Sequence, residues 1–101
     1  MASRLKLHEE LEGILGSRNV YFQPPESIRM NYPAIVYSRS NIENIHADDD
    51  VYLQACHYQI TIIDADPDSE IVERMSKFKR VRYKHHFTSD NLNHDVFEIY
   101  Y

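Results

Sequence analysis

The sequence predicts an α+β domain: an antiparallel or mixed β-sheet of about four to five strands with two helices packed on one face. Three observations carry that expectation. Two segments repeat apolar residues at helical spacing beside helix-start or helix-stop chemistry. Several others cluster β-branched and aromatic residues between turn-forming ones. The elements run helix, strands, helix, strand, strand, with no internal repeat or low-complexity linker, which suits helices laid on one face of a sheet. At 101 residues there is room for one hydrophobic core, so residues 1–101 are read as a single domain.

In the first element Leu7, Leu11, Ile14 and Leu15 share one helical face, and Glu9, Glu10 and Glu12 lie on the other side. Ser3 offers an N-cap and Gly16 a C′ position, which sets the helix from about Arg4 to Leu15. Val20 to Gln23 suits a short strand that ends at Pro24-Pro25, where two backbone donors are missing. An extended connection then runs to Asn31. Tyr32 to Arg39 reads as a strand with Pro33 near its start, and the polar, acidic stretch from Ser40 to Asp50 as a long loop or hairpin tip.

Tyr52, Gln54, Cys56, Tyr58, Ile60 and Ile62 fall on one side of a long strand and Leu53, Ala55, His57, Gln59, Thr61 and Ile63 on the other. Its C-terminal end is apolar on both sides, as expected of a central strand covered on both faces. Asp66-Pro67 then has the form of a helix start, with Asp68 and Glu70 at the positive end of the dipole. Ile71, Met75 and Phe78 mark that helix's buried stripe, and Lys77 and Lys79 lie near its negative end. Val81, Tyr83, His85 and Phe87 alternate as a strand, Ser89-Asp90-Asn91 supplies a turn, and Val96 to Tyr101 form the last strand.

Composition narrows the function. Apolar residues make up 43% and charged ones 27%, ordinary for a globular domain, and no apolar run approaches the ~18 residues of a membrane span. Met1 to Gly16 is too charged for a signal peptide, so the protein is expected to fold where it is made, away from membranes. Cys56 is the only cysteine and reads as a small, half-buried apolar side chain suited to a reducing compartment. A net charge of −5 disfavours generic attraction to nucleic acid. The charge is segregated: Asn41 to Glu73 holds nine acids and no Lys or Arg, and Arg74 to Lys84 holds six of the eleven basic residues.

No catalytic, cofactor or metal site is expected. Asp64, Asp66 and Asp68 imitate the opening of a calcium loop, but its sixth position is Ser69 instead of glycine and its twelfth is Met75 instead of Glu. His85 and His86 are strand neighbours that point to opposite faces, and no His-x-x-x-His or cysteine pair exists to complete a zinc site. The same alternation argues against a Cys56/His57 dyad. With only Gly13 and Gly16 present, neither a phosphate-binding loop nor a dinucleotide fingerprint can be written. Enzymatic activity is therefore not expected. The rival from another class is a small metal-dependent enzyme or ligand-binding domain built on the histidines and aspartates.

The stretches Val20–Ser27 (VYFQPPES), Tyr32–Tyr37 (YPAIVY), Tyr58–Ser69 (YQITIIDADPDS) and Asp90–Phe97 (DNLNHDVF) resemble small neck proteins of tailed bacteriophages, closest to the tail-terminator or tail-completion group. The resemblance implies a virion protein of the head-tail connector, made in the bacterial cytoplasm. It implies a homohexameric ring that caps the tail tube, ends its polymerisation and provides the head-docking surface. Implied partners are further copies of itself, the tail tube protein and head-completion or connector proteins, with DNA passing through the ring without sequence-specific binding. A head-completion or stopper protein is the nearest alternative. A ring needs one patch to meet a different patch on the next copy. The acidic residues Glu43, Asp48, Asp49 and Asp50 and the basic residues Arg80, Arg82 and Lys84 are the candidates for that interface or for the channel lining. On the basic strand, Tyr83 and Phe87 are expected on the opposite, buried face.

Overall fold

The structure, a computed structural model, describes residues 4–25, 28–47 and 50–101, with segments 41–47 and 50–55 described by backbone alone. The elements are α1 (Arg4–Leu15), β1 (Val20–Phe22), β2 (Ala34–Ala47), β3 (Asp50–Asp64), α2 (Glu70–Met75), β4 (Val81–Ser89) and β5 (Leu92–Tyr100). Among the described residues the five strands form one mixed sheet in the order β1-β2-β3-β5-β4. β1 runs parallel to β2 and every other pairing is antiparallel. The molecule measures 51 × 26 × 22 Å, and its long axis matches the roughly 50 Å that the 15 residues of β3 span at strand rise.

Helix α1 has the expected bounds, and the expected N-cap Ser3 lies outside the described residues. Leu7 and Leu11 are fully buried and Leu15 nearly so. Gly16 ends the helix at φ +80°, a conformation that costs residues with a Cβ, while its N–H reaches back to the Glu12 carbonyl at 2.8 Å. Both helices bury their apolar residues in one cluster with Val20, Ile35, Tyr37, Cys56, Tyr58, Ile60, Ile62, Phe97 and Ile99. On the strands these residues are in register: Ile35 faces Ile62, Tyr37 faces Ile60, and Ile60 faces Phe97. They therefore line one face, the face that the helices cover. Each large aliphatic side chain buried there contributes roughly 1.5–3 kcal/mol. Cys56 is fully buried in this cluster, not half-buried.

On the other face Ala34, Ile63 and Val96 are also buried, although both helices lie across the sheet from them. The double-sided burial expected of β3 is thus present, with helices on one side only.

Two expectations about connections are corrected. Of the two readings of the polar stretch from Ser40, the long loop is wrong and the hairpin holds: β2 continues through Ala47 and pairs with β3 down to Ala47 opposite Asp50. β5 stops pairing with β3 at His57, and Tyr101 exchanges backbone bonds with Cys56, so among the described residues the segment 50–55 pairs with β2 alone. The result is a two-stranded arm that leaves the sheet where β5 ends and β4 begins. Helix α2 starts at Glu70, later than the Asp66-Pro67 signal places it, and its N-cap is Ser69, whose Oγ accepts from Ile71 N–H at 3.2 Å. The carboxylates of Asp64 and Asp66 are used earlier, accepting from the N–H groups of Asp66 and Asp68 at 3.0 and 2.9 Å in consecutive Asx turns. Phe78 lies beyond the helix but still packs against the core.

Candidate assembly interface

Strand β4 is the outer strand of the sheet on the side away from β1. Eight of its nine residues are exposed. The cause is the placement of the helices: α1 packs on α2, β1 and β2, so the covered half of the sheet ends before β4. The prediction that Tyr83 and Phe87 would be buried opposite the basic residues is therefore wrong, with 49% and 43% of their surfaces exposed.

The facing also differs. A bulge between Tyr83 and His85 inserts Lys84 as an extra residue, which reverses the alternation beyond it. Arg82 lies opposite Glu98, His85 opposite Val96 and Phe87 opposite His94, so these residues share the face that the helices leave uncovered. Tyr83 and His86, opposite Phe97 and Asp95, are on the helix side. Tyr83 donates to Asp95 Oδ1 at 3.0 Å and sets its ring edge-on to Phe97. His86 is hydrogen-bonded to Asn93 Oδ1 at 3.1 Å, while His85 stacks along Phe87, which stacks on His94 at 4.6 Å. His85 and His86 thus part company as expected of strand neighbours.

The expected basic residues do not form one uninterrupted stripe. Arg80 precedes β4 at φ +58°, with its carbonyl accepting from Tyr100 N–H at 3.4 Å. Arg82 is exposed on the strand. Lys84 Nζ is 3.3 Å from Glu98 Oε2, and the other Glu98 oxygen is 3.4 Å from His57 Nδ1. Glu98 was not anticipated from sequence; only the cross-strand register brings it between these two bases.

The expected acidic patch is also divided. Glu43 lies opposite Ala55, one residue from the root of the arm, and Asp50 opposite Ala47 at its far end. Five strand steps, about 17 Å, separate the two positions. Asp48 and Asp49 lie outside the described residues.

A second basic feature joins segments that are distant in sequence. Lys6 and Glu10 of α1, the connection Lys77–Arg80, and Tyr100 and Tyr101 line a cleft of about 430 Å³ at the root of the arm. Phe78 and Tyr101 stack nearly parallel at 6.3 Å along it. The Tyr101 hydroxyl donates to Glu10 Oε2. Burial, then that hydrogen bond, then the Glu10 charge push the Tyr101 phenol up to about 12. Sequence reasoning placed Lys77 and Lys79 near a helix dipole and within the basic run, Glu10 on the outer side of the first helix and Tyr101 at the end of the last strand, but singled out none of them, nor Lys6, as site residues. The signal within reach was the dense basic run after Arg74.

Among the described residues no three His, Cys, Asp or Glu side chains converge as metal ligands, and no helix is long and apolar enough to cross a membrane. No protein-family model and no curated protein matches the chain.

Proposed function

We propose that this chain is a structural subunit of the tailed-phage neck, of tail-terminator type. Copies assemble into a six-membered ring that caps the tail tube, ends its growth and offers a docking surface to the head. In this reading it makes and breaks no covalent bond, and DNA passes through the ring without being read. The net charge of −5 supports that last point, since it works against gripping phosphates.

One observation carries the proposal: a subunit of 101 residues bears two features of unlike charge at separate places in its fold. One is the exposed outer strand β4 with Arg82, Tyr83 and Phe87; the other is an arm with an aspartate-rich end. Long exposed outer strands invite association, and head-to-tail contacts between unlike patches are what closes a ring. The Lys84 bulge and the Arg82 charge oppose simple extension of the sheet by another strand, so side-chain contacts would carry the interface. The resemblance of the four sequence stretches to phage neck proteins supplies the biological setting.

The test is the mass of the purified protein across a concentration series, with wild type beside Arg82→Glu/Lys84→Glu. A discrete ring-sized species is expected for wild type, and its midpoint concentration should rise at least about tenfold in the variant. Rings that form equally well in both would count against β4 as an interface. Particles lacking the protein distinguish the neck roles. Tails of uncontrolled length support the terminator reading; full-length tails with heads that lose DNA replace it with a stopper.

A further inference from the structure

We propose that the cleft at the root of the arm receives the Asp48-Asp49-Asp50 end of the arm from a second copy of the chain. This rests on the self-assembly reading and names the contact that would set its register.

Four cations, Lys6, Lys77, Lys79 and Arg80, line the cleft against one acid, Glu10. Glu10 already accepts the Tyr101 hydroxyl. Among the described residues none of the four cations is drawn into an ion pair. Lys77, Lys79 and Arg80 are exposed. Four like charges around one concave space repel each other, and an acidic occupant relieves that repulsion. The stacked Phe78 and Tyr101 rings add an apolar wall against which a short extended segment can lie.

The arm supplies the complementary chemistry. Its end carries three consecutive aspartates, and no Lys or Arg occurs from Asn41 to Glu73. The geometry makes the contact intermolecular. Cys56, paired with Tyr101, marks the root beside the cleft, and Asp50 lies six strand steps further out, about 20 Å away. Backbone pairing of β2 with β3 holds Asp50 away from the cleft of its own molecule. Each copy therefore carries the backbone of Asp50 about 20 Å from a basic receptor, a separation of the kind that a heterologous, repeating contact requires. Electrostatics of this kind sets register and partner choice.

The experiment is a charge swap on the full chain, with circular dichroism confirming that each variant keeps its fold. Lys77→Glu/Lys79→Glu and Asp48→Lys/Asp49→Lys/Asp50→Lys should each raise the association midpoint at least about tenfold, and combining both sets in one chain should restore much of the loss. In parallel, a synthetic peptide of residues 44–53 is titrated into wild type and into the Lys77/Lys79 variant at low salt. Binding to wild type that is lost in the variant and weakened by salt supports the proposal, even where wild type stays monomeric and the ring reading fails. Unchanged association in both reversals, with no peptide binding, overturns the cleft contact while leaving self-assembly through β4 standing. Binding of a short DNA duplex that needs Lys77 and Lys79, with indifference to the peptide, also overturns it and assigns the cleft to phosphate.

Discussion

The two faces of the sheet are made by the same strands and have opposite characters. Under the helices, Tyr37, Tyr58, Ile60, Ile62, Phe97 and Ile99 are at most 1% exposed and touch one continuous cluster. Across the sheet the alternating partners include His57, Arg82, His85, Phe87, His94 and Glu98, an aromatic and ionic surface with exposed members. The difference teaches where each property resides. Folding free energy is concentrated on the covered face, and the uncovered face and β4 are left to chemistry that a partner can use.

The strongest way to break that comparison is to truncate one residue on each side. Ile60→Ala, at a fully buried position, should cost about 2–5 kcal/mol, read as a large fall in the urea midpoint. Phe87→Ala, at a position 43% exposed, should cost under about 1 kcal/mol. Equal losses would make the uncovered face part of the core and end the distinction.

A smaller effect sharpens it. Tyr37 is buried, yet its hydroxyl accepts from Arg4 Nη1 at 3.0 Å and is bonded to His8 Nδ1 at 2.7 Å, while Arg4 also lies over the Phe22 ring at 4.4 Å. Burial, opposed by the Arg4 hydrogen bond and charge, raises the Tyr37 phenol above its ordinary value. Tyr37→Phe keeps the ring and removes these bonds, so a loss of about 1 kcal/mol is expected in the same denaturation measurement. No change would mean that water replaces the hydroxyl without cost and that this edge of the core is wet.

The smallest effect is a titration. Tyr101 has its phenol raised from 10.0 to about 12, so the folded state holds that proton more tightly than the unfolded state does. The linked stabilisation is complete below pH 10 and is lost as pH rises from about 10 to about 12. Difference absorbance of the phenolates should show a late-titrating component that is lost in Tyr101→Phe. In Glu10→Gln it should move down only part of the way, because burial, the first cause, remains. An unchanged midpoint in Glu10→Gln would remove Glu10 from the account.

Local chemistry was the legible part of this sequence. Helix α1 ends where Gly16 says it should. The Ser89-Asp90-Asn91 signal also holds: Ser89 pairs with Leu92 across a two-residue turn whose Asp90 and Asn91 have φ of +53° and +64°. Where two local signals competed, the reading failed. Asp66-Pro67 imitates a helix start, but consecutive Asx turns consume the aspartates and leave the cap to Ser69. The stretch from Ser40 to Ala47 lacks the apolar alternation of a buried strand, and it is a strand because β3 pairs with it.

The amino-acid order by itself determined the fold class, the bounds of α1, the hairpin turn between β4 and β5 and the separation of acidic from basic segments, because each depends on neighbours within a few residues. Only the tertiary structure decided that Tyr83 and Phe87 stand exposed, that Glu98 lies between Lys84 and His57, and that α1, the Lys77–Arg80 connection and Tyr101 enclose one cleft. Those outcomes depend on cross-strand register, on a single-residue bulge and on how far the helices reach across the sheet, and residues that meet in this way leave no periodic trace along the chain.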